Sequence, residues 1–191
     1  PSTELYAQHC ASCHGAERLG GIGPALLPQN LSRVRKSEAM EVIANGRPTT
    51  QMAGFAAVLS ESEIKALAEF IYTEPAVTPR WGMDEIRASH LQHAREQDLP
   101  DEPRYQANMQ NLFLVVELGD HHITLLDGDK FVPIHRFPTR YALHGGPKYS
   151  PDGRFVYLNS RDGWVSKYDL YNLTLISEVR AGINSRNIAV S

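Results

Sequence analysis

Residues 10 to 14 read Cys10-Ala11-Ser12-Cys13-His14 and hold both cysteines of the chain. Two thiols at this spacing can add across the vinyl groups of a porphyrin, and the adjacent histidine can reach its iron. The pattern is that of covalent c-type haem attachment, with Cys10 and Cys13 as the linked thiols and His14 as an axial ligand. A Cys-x-x-Cys pair can also be a redox dithiol or half of a zinc site. A dithiol wants a strand before it and a low-pKa thiolate at a helix N-terminus, whereas this pair ends an amphipathic segment, residues 3–9. Zinc needs two more ligands, and there is no second cysteine pair.

The residues that follow agree with haem. Gly20, Gly21, Gly23 and Pro24 form a loop in which backbone can lie close to a flat cofactor. Met52 comes 38 residues after His14 in a polar loop, Arg47-Pro48-Thr49-Thr50-Gln51-Met52. A thioether facing histidine across the iron raises the reduction potential and suits an electron relay, so Met52 is the expected sixth ligand. Met40 lies on a helical apolar stripe and reads equally well as core filling.

Short helices must position these groups. Residues 37–45 carry Met40, Val42, Ile43 and Ala44 at helical spacing, with Gly46 as a stop. Ser60-Glu61-Ser62-Glu63 is a capping box, and Ile64, Leu67, Ala68, Phe70, Ile71 and Tyr72 give an apolar face behind it. Helices this short bury little surface alone, so haem is expected to complete the core.

Composition limits the rest. The chain has 191 residues, 42% hydrophobic and 21% charged, with a net charge of -3, which is ordinary for a soluble protein and unsuited to polyanion binding. No basic patch with interleaved aromatics occurs, and no apolar run is long enough to span a bilayer. The chain starts at Pro1 without a signal peptide. Because c-type haem is installed on the far side of the bacterial membrane, a removed targeting segment and a periplasmic location are expected.

After residue 76 the helical pattern stops. Pro75 and Pro79 open an extended stretch, residues 84–97 could form a short polar helix, and Pro100 and Pro103 prolong a linker over 77–108. A connection of that length is expected to lie on a surface, with Trp81 either anchoring it or covering the end of the preceding helix. From 109 the period is two: runs at 112–118, 123–126, 132–137, 150–158, 163–170 and 173–179, with turns such as Asp127-Gly128-Asp129. Ser150-Pro151-Asp152-Gly153-Arg154 before a strand, with Tyr168-Asp169-Leu170 one strand later, resembles a β-propeller blade repeat. Residues 112–191 hold about two blades of ~40 residues, and closure takes at least ~4. The chain is therefore expected to be the N-terminal part of a longer protein.

The order of residues 1–76 resembles the class I cytochrome c family. The stretches Trp81-Gly82-Met83-Asp84-Glu85-Ile86-Arg87, Asn111-Leu112-Phe113, Leu126-Asp127-Gly128-Asp129, Tyr141-Ala142-Leu143-His144, Arg161-Asp162-Gly163 and 181–186 resemble the cytochrome cd1 family. The resemblance implies a mixed fold: an all-α class I cytochrome c domain (1–76), a linker (77–108), and the first blades (109–191) of an eight-bladed all-β propeller that binds haem d1 non-covalently. It implies His144 as ligand of the d1 iron and Arg161 and Arg186 as partners of d1 carboxylates. His121 and His122 read as surface turn residues without a clear partner.

Two positions depart from the nitrite reductases of that family, which have arginine where Leu118 and Pro147 stand. Fewer cationic contacts suit a macrocycle that is released. The resemblance is then closer to the family's dehydrogenase of haem d1 biosynthesis, an oxidoreductase that binds dihydro-haem d1 and oxidises one propionate to acrylate. Electrons would pass to haem c and on to a soluble periplasmic electron-transfer protein, and the product to the nitrite reductase that receives haem d1. The catalytic base is expected beyond Ser191. The alternatives are a cytochrome cd1 nitrite reductase, with electrons flowing from haem c to nitrite, and a non-catalytic module that binds or delivers d1.

Overall fold

The computed structural model describes all residues, 1–191, and they divide into two compact units, Pro1–Arg80 and Trp81–Ser191. The first unit is helical: α1 (Ser2–His9), the single turn α2 (Ala11–His14), α3 (Lys36–Asn45) and α4 (Glu61–Ile71). The capping box forms as the sequence predicts: Glu63 N donates to Ser60 Oγ and Ser60 N to the Glu63 carboxylate, satisfying two donors at the start of α4. The apolar faces of α1, α3 and α4 meet in one core of Tyr6, Leu31, Ala39, Ile43, Leu59, Ile64, Leu67, Ala68 and Ile71, with Met40 packed partly buried at its edge. Arg18 closes the far end of α4, donating to Phe70 O at 2.9 Å and Thr73 O at 3.0 Å while its guanidinium lies over the Phe70 ring.

The second unit opens on α5 (Met83–Ala88), followed by β1 (Leu91–Gln92) and a 3-10 turn (Glu96–Asp98). This corrects the single helix expected over 84–97. Leu91 and Gln92 pair antiparallel with Glu178 and Ser177, so an available sheet edge captures chain that local pattern reads as helical. Trp81 settles between its two expected roles: its Nε1 donates to Arg180 O at 2.8 Å and the Arg180 guanidinium lies over its ring, so it anchors this segment to the sheet.

Two antiparallel sheets follow. One has β2 (Leu112–Glu117), β3 (His122–Asp127) and β4 (Val132–Pro138) in sequence order. The other has β5 (Lys148–Tyr149), β6 (Phe155–Asn159), β7 (Trp164–Asp169) and β8 (Thr174–Arg180), with β1 added outside β8. The two-residue β5 escaped sequence reading, because Gly145-Gly146-Pro147 before it carries no strand signal. The two sheets are not closed on each other by further strands. They repeat one design. Both carry a register shift in the middle strand, at Leu125/Leu126 and at Lys167/Tyr168, and both end that strand on an aspartate that accepts from two following backbone N–H groups. Ile123, Leu125, Phe137, Val156, Leu158, Tyr168 and Leu170 form the core between them.

Candidate functional site

The chemistry-bearing residues of the helical unit gather where α1 passes into α2. Cys10 ends α1, its N–H bonded to Tyr6 O, and the single turn that follows brings His14 N to Cys10 O at 2.9 Å. His14 is only 8% exposed. Its Nδ1 donates to Pro24 O at 2.8 Å, which fixes the tautomer and leaves Nε2 as a free metal-ligating lone pair. Burial holds the ring neutral, pushing its pKa below the ordinary value against the opposing pull of that carbonyl. Gly23 is placed so close that a Cβ there would lie 2.8 Å from His14 Cε1, so no larger residue fits beside the imidazole.

Both thiols are free and half-buried. Burial, reinforced by Cys13, pushes the Cys10 thiol up to about 11, the opposite of what a redox dithiol needs. No group of three or more His, Cys, Asp or Glu side chains is arranged to hold a metal ion. Met52 is delivered by a separate loop after α3. Arg47 N bonds to Met52 O at 3.0 Å, Met52 N to Thr50 Oγ1 at 3.2 Å, and Phe55 N to Ile43 O at 2.9 Å, stapling the loop to the helix end. An oriented imidazole, two adjacent thiols and a methionine fixed through its backbone suit a covalent haem.

In the second unit three loops meet at one end of the sheets. The 139–147 loop carries His144, whose N–H bonds to Asn159 O at 2.8 Å and whose Nδ1 donates to Arg186 O at 2.7 Å. Its Nε2 is left for a ligand. The β6–β7 turn carries Arg161, tied through its backbone to Ala142 O at 3.1 Å and to Ser185 N at 3.2 Å. The Arg161 Nε is enclosed and has no hydrogen-bond partner. The Arg186 carbonyl orients His144, and its side chain is exposed.

A cavity of ≈ 190 Å³ lies beside His144, lined by Val116, Leu118, Leu143, Pro147 and Asn159 among others. That is less than the roughly 300–1,000 Å³ of a complete ligand pocket, so these residues form part of a wall. Leu118 and Pro147 both face it, making it apolar. A second cavity of ≈ 260 Å³ is lined by Arg140, Ser166 and Glu178. These polar groups are paired: Glu178 accepts from Arg140, Ser166 and His93.

His121 lies in the β2–β3 turn as expected, whereas His122 opens β3 and has a partner. His122 Nδ1 lies 3.0 Å from Asp120 O. His121 sits at φ 60 with its ring edge-on to Tyr141, centroids 5.3 Å apart, and its Nδ1 is enclosed without a partner. The signal was faint: Asp120-His121-His122 after β2 occupies the place of Asp162-Gly163-Trp164 after β6.

The two units together are those of a c-type cytochrome joined to a haem d1-type β domain. Residues 2–71 match the family described as Cytochrome C oxidase, cbb3-type, subunit III, and residues 107–191 match the Cytochrome D1 heme domain. The chain thus carries a region similar to each of these two families. It is 59% identical over its whole length to a dihydro-heme d1 dehydrogenase of Pseudomonas aeruginosa, spanning 39% of that protein. A solved structure, dihydro-heme d1 dehydrogenase NirN in complex with DHE, superposes over 100% of this chain and 41% of its own with a TM-score of 0.89 and 59% identity. A nitrite reductase of Stutzerimonas stutzeri is 26% identical over the full chain and 36% of its own length. The chain thus spans about two-fifths of the curated relatives it matches. No helix is long and apolar enough to cross a membrane.

Proposed function

We propose that this chain forms the cytochrome part (1–76), linker (77–108) and first propeller blades (109–191) of a periplasmic oxidoreductase that converts dihydro-haem d1 to haem d1. One propionate side chain becomes an acrylate, which removes two electrons and two protons from the substrate. The observation that carries this reading is the wall beside His144, where Leu118 and Pro147 place apolar groups and no fixed cation. Such a wall holds a tetrapyrrole carboxylate weakly and lets a finished macrocycle go. The 59% identity to a dihydro-heme d1 dehydrogenase, against 26% to a nitrite reductase, supports the same direction.

His144 offers Nε2 to the iron of the substrate, held in orientation by the Arg186 carbonyl on Nδ1. Arg161 offers its guanidinium to a substrate carboxylate. Cys10, Cys13, His14 and Met52 would hold a haem c that supplies one-electron relay chemistry when bound. A soluble periplasmic electron-transfer protein takes the electrons onward, and a nitrite reductase receives the product. The test uses the full-length protein: after incubation with dihydro-haem d1 and an oxidised acceptor, the extracted tetrapyrrole should have lost two hydrogens by mass spectrometry. Recovery of unchanged substrate from intact protein overturns the dehydrogenase reading. One tightly held d1 per chain together with rapid nitrite reduction would establish the reductase instead.

A further inference from the structure

The two sheets give His121 an internal standard. His121 O accepts from Thr139 N at 2.7 Å, and Gly163 O accepts from Ala181 N at 2.8 Å, at the same point of the repeated design. Both residues have positive φ, 60 and 90. Glycine adopts that backbone freely, whereas a residue with a Cβ does so at a cost, histidine more readily than most. At Gly163 a Cβ would lie 1.8 Å from Gly182 O, so only glycine fits. In the sister turn the chain instead holds an imidazole in the less favoured conformation, which aims the ring at Tyr141 on the loop that carries His144.

The ring is set for one role. Nδ1 is enclosed with no acceptor in reach, so a proton there would be stranded. The proton therefore resides on Nε2, which makes no hydrogen bond within the chain and is not among the enclosed atoms. Arg161, on the matching turn of the other sheet, bonds through its backbone to Ala142, next to Tyr141, and also has an unpaired enclosed nitrogen. Two unsatisfied side chains, one from each sheet, thus flank the same two loop residues.

We propose that His121 is a binding residue of the tetrapyrrole site, donating its Nε2–H to a peripheral carboxylate of the macrocycle. This rests on the reading that a tetrapyrrole binds at His144. A neutral N–H to a carboxylate is a charge-assisted hydrogen bond that adds affinity without adding a fixed positive charge.

The experiment titrates full-length haem c-loaded protein with haem d1 and with its esterified form, following the d1 absorption bands. His121→Gly suits φ 60 and should keep the melting temperature at or above that of the parent. It should weaken haem d1 binding about tenfold, the effect of one hydrogen bond to a charged group. His121→Asn, which tolerates positive φ and keeps an N–H, should recover part of the loss. The esterified macrocycle should bind parent and His121→Gly alike. Unchanged haem d1 affinity in a folded His121→Gly protein overturns the assignment, as does an equal loss with the ester. His144→Ala separates the two levels of argument. If it too leaves binding unchanged, the site itself is misplaced; if it weakens binding while His121→Gly does not, only the role of His121 falls.

Discussion

Adding one methyl group at Gly23 tests the haem c cradle most directly. In Gly23→Ala the new Cβ would stand 2.8 Å from His14 Cε1 and 2.9 Å from Nδ1, well inside van der Waals contact. The ring cannot retreat freely, because its Nδ1 is held by Pro24 O at 2.8 Å and because it is buried. Relief requires rotating the imidazole off that bond or moving the loop. Overpacking of this kind costs about 1–3 kcal/mol. In a unit of this size each kcal/mol shifts the melting point by about 4–8 °C, so a loss of about 4–24 °C is expected. The assay is thermal unfolding of the haem-loaded protein followed through the haem absorption, with the low-spin spectrum recorded before heating. The variant should melt earlier and show a smaller low-spin fraction. An unchanged melting curve and spectrum would refute the claim that Gly23 is reserved for the approach of the ligating histidine.

Cys13→Ala should abolish or cripple covalent haem attachment and leave the helical unit partly unfolded; normal covalent haem by denaturing gel with haem staining would contradict the cradle. Met52→His should lower the haem c potential while keeping the iron low-spin, seen by redox titration and loss of the near-infrared methionine band. Leu118→Arg, beside His144, should slow d1 release, each recovered charge-assisted contact contributing about 1.5–3 kcal/mol, measured as a dissociation rate. Glu178 is subject to burial, which raises its pKa, but Arg140, Ser166 and His93 more than offset this and hold it below the ordinary 4.5. Its folded pKa being depressed, it stabilises the β unit above pH 4.5, and that contribution disappears as pH falls through the lower folded value. In Glu178→Gln the melting temperature should be lower at neutral pH and should fall less on acidification below 4.5.

How much of this was legible before the structure follows from how local each determinant is. Covalent haem attachment needs five consecutive residues, so Cys10, Cys13 and His14 could be read directly, and the capping box of α4 spans four. The fate of 84–97 depended on an edge strand more than eighty residues later, and no window over Leu91 and Gln92 contains Glu178. His144 and Arg161 are placed by main-chain bonds between loops far apart in sequence, so residue type alone left them indistinguishable from solvated side chains. The backbone angle and the enclosed nitrogen of His121 are likewise features that composition does not reveal.

The pairing of β1 with β8 also bears on the order in which the chain is made. A bare outer edge on a sheet is a template for association with other chains. Here the strip that shields β8 is synthesised well before β8 itself, since Leu91 and Gln92 precede Thr174 by more than eighty residues. Synthesis runs from the N-terminus, so the cover is already present when the last strand of the sheet arrives. Trp81, also made early, then closes on Arg180 at the end of that strand. The edge most exposed to wrong partners during folding is thus met first by its own chain.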